Sequence, residues 1–344
     1  MSRLALGCYP IGGGYGSISD DQARATVDTA LACGWTLFDT AEVYLASEER
    51  LGRILQGRRD RVFLATKAYP CESYSYEHLA AALEGSLCRL RTDRVDLYQL
   101  HGPEDWALPL DPTPLDELAD TLDRLRRSGK ALHIGVCNLQ GEVLEALAAR
   151  IEIFSTQNLC SLIDRDDDRD APLPLVGEVI PYAKRHGIAV LAYSPLARGL
   201  LADNLDPQRT FRPDDERHSL RRFQPGAYEH YVALQRRLSE WAADHGCTLA
   251  ALAVAWTLHH DGVASTLIGA KTPEHVRALA GVSQLTLGTQ ELAELEGLVA
   301  LLPAEAKQAR TIGQSPSSDD WLAEIRRRRY ASPVDANSRS VCHP

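Results

Sequence analysis

Short apolar runs recur along the chain, each ending at a polar or charged side chain and each separated from the next by a longer amphipathic stretch. Residues 4–8, the run ending at Asp39, 61–67, 94–101, 131–137, 154–158, 188–193 and 265–268 have the length and aliphatic content of buried strands. Helical patterns fall between them, at about 19–33, 47–56, 76–90, 113–127, 141–149, 172–186, 228–245 and 249–260. Two more follow, one opened by Thr272-Pro273 and one at 290–302. The punctuation agrees. Ser19 with Gln22 forms a capping-box start, Gly34, Gly57 and Gly187 stand where helices stop, and Pro114 occupies a first helical turn. A polar, arginine-rich loop at 198–226 interrupts the alternation.

Strands alternating with helices predict a parallel sheet, and eight strands is the number that closes a (β/α)8 TIM barrel. The expected fold is therefore α/β, a (β/α)8 barrel with extra helices and a C-terminal tail. Residues 1–309 read as one barrel domain. Residues 310–344 read as an extension: a linker at 314–320, a short helix at 321–330 carrying Arg326, Arg327, Arg328 and Arg329 as a solvated face, and disorder beyond. Barrel chemistry sits at the C-terminal strand ends. Asp39, Lys67, His101, Asn138 and Gln157 all lie at such ends and are expected to converge on one mouth.

The totals narrow the function. A net charge of −10 disfavours nucleic acid or an anionic membrane as partner, while leaving room for a local basic pocket. No apolar run is long enough to span a bilayer, and the N-terminus enters strand-like sequence with no signal-peptide pattern, so a cytoplasmic location is expected. The eight cysteines are scattered without Cys-x-x-Cys and read as reduced core residues, not as disulfides or metal ligands.

The strand ends suggest a reaction. A tyrosine titrates near ~10 and by itself is a poor acid at neutral pH. A lysine ammonium beside it favours the phenolate, a carboxylate holds that lysine charged, and a histidine can orient the oxygen being protonated. Asp39, Tyr44, Lys67 and His101 thus form a sensible set for protonating a carbonyl oxygen as it gains negative charge. Each has a plainer reading taken alone: a turn cap, a solvated strand end, the first residue of a loop.

The motifs resemble the aldo-keto reductases. Phe38-Asp39-Thr40-Ala41-Glu42-Val43-Tyr44, Ala65-Thr66-Lys67 and Asp96-Leu97-Tyr98-Gln99-Leu100-His101 are similar to that family's catalytic motifs. Ile134-Gly135-Val136-Cys137-Asn138, the stretch from Tyr193 through Gly199 to Leu201, and Ile268-Gly269-Ala270-Lys271-Thr272 are similar to its cofactor motifs. The resemblance implies a (β/α)8 barrel using NADP(H) in preference to NAD(H). It also implies a small-molecule carbonyl or alcohol as substrate, Tyr44 as general acid, Asp39 and Lys67 as its tuning pair, and His101 orienting the carbonyl. By the same resemblance Asn138 and Gln157 hold the nicotinamide amide, with Ser161 nearby, and Tyr193 stacks on the ring. Ser194, Leu196 and Gly199 belong to the pyrophosphate loop, and Ile268, Gly269, Lys271, Thr272 and His275 to the adenosine phosphate turn. A phosphate there would also meet a helix N-terminus and a lysine charge.

The chain departs from the family pattern in places. Ala278-Leu279 stands where a Glu-Asn pair is common, His275 where Gln or Arg is, Cys137 where Ser is, and Cys8-Tyr9-Pro10 where Thr-Trp is. Tyr9, Tyr69 and Trp106 become candidates for an apolar substrate pocket. The 103–113 loop is expected to set selectivity, the 198–226 loop to fold over the cofactor, and the tail to help shape the pocket. Other classes compete with this reading. The glycines at 12–16 do not satisfy the Rossmann G-x-G-x-x-G fingerprint, which argues against a Rossmann dehydrogenase. A nucleotide-sensing regulatory subunit, or a sugar or polyol dehydrogenase running the reaction oxidatively, would use the same residues.

Overall fold

The computed structural model describes residues 1–69, 74–102, 114–139, 141–164, 175–203 and 205–308. Four strands make the first half of a sheet: β1 (Leu4–Gly7), β2 (Leu37–Asp39), β3 (Phe63–Ala68) and β4 (Val95–His101). Four more complete it: β5 (Ala131–Cys137), β6 (Ser155–Leu159), β7 (Ala189–Tyr193) and β8 (Val263–Gly269). All neighbours are parallel, and β8 pairs with β1 to close the barrel in chain order. The helices are α1 (Tyr9–Gly12), α2 (Asp20–Ala32), α3 (Ser47–Ile54), α4 (Tyr76–Leu90), α5 (Leu115–Arg127) and α6 (Gly141–Ala148). They continue with α7 (Ile180–His186), α8 (Tyr228–Asp244), α9 (Leu249–His259), α10 (Pro273–Ala278), α11 (Thr289–Ala300) and α12 (Ala304–Gln308). No helix among the described residues is long and apolar enough to cross a membrane.

The two faces of each strand explain where the site sits. Even-numbered residues such as Leu6, Phe38, Leu64, Tyr98, Ile134 and Ile268 point outward into the core beneath the helices. Odd-numbered residues point inward, and the low layer is a small apolar plug of Ala5, Leu37, Ala65, Leu97, Leu191 and Leu267. Two to four residues further along the chain, on the same inward face, the side chains turn polar: Asp39, Lys67, Gln99 and His101, with Gln157 on β6. Register brings them level, with Lys67 opposite Gln99, His101 opposite Cys137, and Cys137 opposite Gln157. The plug thus floors a polar cup at the C-terminal end.

Several details differ from the sequence reading. Residues 9–12, expected as loop, form the single turn α1, because Pro10 suits a first helical turn. β8 is longer than expected because it must pair with both β7 and β1. α7 is preceded by a π-type turn, Leu175–Val179. Its expected start at 172, Thr113, Trp106, and the whole of 310–344 lie outside the described residues. Of the cysteines, Cys8, Cys137 and Cys160 are buried, Cys33 and Cys247 are half-buried, and Cys88 is exposed, so the core reading does not hold for all. Among the described residues no cluster of His, Cys, Asp or Glu is arranged to hold a metal ion.

Candidate active site

The polar cup is built around Lys67, whose side chain is fully buried. Its Nζ donates to Asp39 Oδ1 at 2.5 Å, to the carbonyl of Thr40 at 2.9 Å and to Tyr44 Oη at 3.2 Å. Burial taken alone lowers the ammonium's pKa, but Asp39, and after it Tyr44, offset that and the net direction is upward. Lys67 therefore stays charged. Asp39 Oδ2 accepts from Gln157 Nε2 at 2.9 Å and from Gln99 Nε2 at 3.1 Å. With both oxygens engaged, a carboxylate that is almost wholly buried remains solvated by the protein itself.

Tyr44 follows β2 in a turn whose next residue, Leu45, has φ 49°. Gly12 permits that turn to sit close: a Cβ there would collide with the carbonyl of Tyr44. Burial pushes the Tyr44 phenol above its usual range, Lys67 pulls it down, and Asp39 adds to the rise. The net is upward, which corrects the expectation that Lys67 dominates. A dry site disfavours the phenolate more than one ammonium, itself already paired to Asp39, favours it. His101 packs edge-on between Tyr44 and Tyr69, with centroids 5.8 and 5.7 Å away. Burial, with Lys67 second, holds its pKa well below the usual histidine range, so the ring is neutral at physiological pH. Among the described residues its buried Nδ1 has no hydrogen-bond partner.

These side chains open into a cavity of about 880 Å³ that extends past Asn138, Tyr193, Ser194 and Leu196 to Lys271 and His275. Asn138 has a left-handed φ of 57°, which ends β5 and turns its amide inward. Its Nδ2 donates to the carbonyl of Gly102 at 3.0 Å, and Tyr193 Oη donates to its Oδ1 at 3.2 Å. Ser194 is also left-handed, φ 57°.

The 198–226 segment crosses the mouth as a strap. Asp215 makes an antiparallel bridge to Tyr15, and Glu216 N–H donates to the carbonyl of Gly14 at 3.1 Å. Lys271 Nζ donates to the carbonyl of Tyr15 at 2.7 Å.

Residues 3–300 match the family model described as the Aldo/keto reductase family. The chain belongs to that family. The aldo-keto reductase YhdN of Bacillus subtilis (strain 168) is 32% identical over 311 residues, 87% of this chain and 90% of its own. Among solved structures, a glycerol dehydrogenase from Gluconobacter oxydans is 31% identical with a TM-score of 0.73, over 88% of this chain and 92% of its own. An aldo/keto reductase from Klebsiella pneumoniae, solved in complex with NADP and acetate, is 29% identical with a TM-score of 0.66, over 86% of this chain and 91% of its own.

In this aldo/keto reductase the residues singled out from sequence do not all reach the cavity. Tyr9, Asp39, Tyr44, Tyr69, His101, Asn138, Gln157, Tyr193, Ser194, Leu196, Gly199, Ile268, Gly269, Lys271 and His275 line it. Lys67 sits behind Tyr44. Ser161 does not line the cavity; it is fully buried, and its hydroxyl is paired with Asp164 at 3.1 Å. Thr272 caps α10, accepting from His275 N–H at 3.4 Å, which is the plain helix-start role. Sequence reasoning missed Gln99, although it lies two residues before His101 on the same inward face. It also missed Glu216 and Arg198, for which nothing local signals a partner.

Proposed function

We propose that this aldo/keto reductase is an NADP(H)-dependent oxidoreductase that reduces an aldehyde or ketone to an alcohol. The observation that carries the reading is the three-way contact of Lys67 Nζ with Asp39, Thr40 and Tyr44 at the floor of the cavity. NADPH, when bound, supplies the hydride. Tyr44, protonated because its surroundings are dry, holds the proton that the carbonyl oxygen needs as negative charge develops there. Lys67, fixed by Asp39, which Gln99 and Gln157 hold in turn, keeps the phenolate left behind from being prohibitively costly. Neutral His101 is able to donate one hydrogen bond to the same oxygen without competing for the proton.

The lining fits a nicotinamide dinucleotide. Tyr193, Asn138 and Gln157 line the same cavity as the proton donor, and a nicotinamide is proposed to lie among them. Charge gathers at the other end. Arg198 pairs with Glu216 and Arg217 with Asp215, while the Lys271 ammonium donates to the neutral Tyr15 carbonyl. Burial, partly offset by Asp215, together with Arg217 and Arg209 lowers the Lys271 pKa, a strain that a phosphate dianion would relieve. The substrate class in this reading is a small-molecule carbonyl or alcohol, and the scattered cysteines favour a reducing, cytoplasmic compartment. The likeness to a glycerol dehydrogenase supports a second direction, oxidation of a polyol by the same residues.

The test is NADPH consumption across a panel of aldehydes and ketones, with NADP+ reduction by polyols beside it. Tyr44→Phe removes one hydroxyl and is expected to lower turnover at least about 100-fold. Turnover near that of the wild type would sink the mechanism. Tight NADPH binding with no turnover on any substrate would point to a sensor instead.

A further inference from the structure

Ser47 and Glu48 open α3 behind the barrel wall, on the side away from the cavity, and both are almost wholly buried. A carboxylate in such a place costs free energy unless its oxygens are paired. Glu48 Oε2 accepts from Arg89 Nε of α4 at 2.6 Å, and its Oε1 accepts from the Thr66 hydroxyl at 2.5 Å. The Ser47 hydroxyl accepts from the Thr40 hydroxyl at 2.8 Å and donates to the carbonyl of Cys8 at 3.0 Å. Gly52 lets α3 lie this close to α4, because a Cβ there would stand 2.3 Å from the carbonyl of Arg89.

The two threonines have particular neighbours. Thr40 follows Asp39 and Thr66 precedes Lys67, and along a strand adjacent side chains point to opposite faces. Asp39 and Lys67 therefore face the cup while Thr40 and Thr66 face α3. Beyond Lys67 the hold continues: its carbonyl accepts from the N–H of Glu42 at 3.2 Å, and Glu42 Oε1 accepts from the N–H of Tyr69 at 2.6 Å. None of Thr40, Ser47, Glu48, Thr66 or Arg89 lines the cavity. Apolar side chains would fill the same space without the cost of burying an ion pair. What a hydroxyl and a carboxylate add is direction, since each fixes where one strand stands in the wall. The Lys67 Nζ contacts with Asp39 and Tyr44, at 2.5 and 3.2 Å, depend on that placement.

We propose that Ser47 and Glu48, with Arg89 behind Glu48, are positioning residues that hold Asp39 and Lys67 at their working separation by gripping Thr40 and Thr66 from outside the barrel. This rests on the reading that Lys67 serves Tyr44 in carbonyl reduction. A small shift of β3 against β2 moves the ammonium away from the phenol but leaves the lining contributed by β7 and β8 in place.

The experiment compares the wild type, as the full chain, with Thr66→Val, which keeps the shape and loses the hydroxyl, and Thr66→Ser, which keeps the hydroxyl. Two quantities are read: the NADPH dissociation constant by fluorescence titration, and the single-turnover rate of NADPH oxidation with a panel aldehyde that the wild type reduces. Thr66→Val is expected to slow single turnover about tenfold while the dissociation constant stays within about twofold. Thr66→Ser is expected to restore the rate to within about twofold of the wild type. Ser47→Ala leaves no charge unpaired and is expected to slow single turnover about fivefold with NADPH binding unchanged, so the test stands even where Thr66→Val does not fold. A Thr66→Val or Ser47→Ala rate within about twofold of the wild type, a Thr66→Ser as slow as Thr66→Val, or rate and affinity falling together would overturn the brace while leaving the catalytic assignment intact. A wild type that oxidises NADPH with no carbonyl on the panel, and reduces NADP+ with no polyol, would overturn both.

Discussion

At the scale of single residues the site is governed by water exclusion. Tyr44, Lys67 and His101 each sit in a place that disfavours charge, and only Lys67, with Asp39 beside it, remains ionised. His101 has a consequence for stability. In the folded protein its pKa lies well below the ordinary value, whereas in the unfolded chain it takes up a proton near ~6.5. Below that pH the unfolded state binds more protons than the folded one, so stability falls on acidification until the folded-state pKa is reached. His101→Gln abolishes the difference. In urea titrations the variant is expected to lose less stability than the wild type between about pH 6.5 and 5.5, by up to ~1 kcal/mol. Parallel losses would mean that His101 is not held neutral.

Asp39, Tyr44, Lys67 and His101 were legible because each ends or follows a strand, and chemistry in this fold collects there. Gln99 was legible in principle, being on the inward face with His101, but it sits mid-strand among Tyr98 and Leu100 and reads as core. Glu216 was not legible as Tyr9's partner, since 207 residues separate them and no periodicity links a loop carboxylate to a strand-end phenol.

At the scale of elements the strap depends on its footing. Arg222, 1% exposed, donates to both oxygens of Asp164 at 2.7 and 3.2 Å, fastening the strap's far end to the turn after β6. Asp164 is itself 1% exposed and closes the turn through Ser161. Removing the arginine leaves a buried carboxylate short of its cation. Arg222→Met is expected to cost ~3–5 kcal/mol in chemical denaturation. A loss below ~1 kcal/mol would show that the pair is replaceable by packing. The same turn engages the Ser161 hydroxyl, which donates to Asp164 and accepts from its N–H. The strap's existence was readable from its polar, arginine-rich composition, but not what it presses on.

At the scale of the whole molecule an acidic chain has to attract a polyanionic cofactor. With a net charge of −10, the long-range field is unfavourable, so recognition of a phosphate depends on local cations whose acidic neighbours are already paired. Lys271, which lines the cavity, is the cation proposed for this role. Lys271→Ala is expected to weaken NADPH binding about tenfold or more while changing NADH binding little. Equal losses in fluorescence titrations would remove the reason for naming NADPH over NADH.

The sequence by itself determined the barrel, its polar strand ends and its family, because strand–helix alternation and short motifs are local properties and a strand's two-residue period already assigns each side chain to one face. The tertiary structure decided which of those polar ends share hydrogen bonds, that desolvation outweighs Lys67 at Tyr44, and that Tyr9 reaches the strap through Glu216. These depend on register around a closed sheet and on how dry the enclosed space is. Both are set only when residues far apart in the chain are brought level.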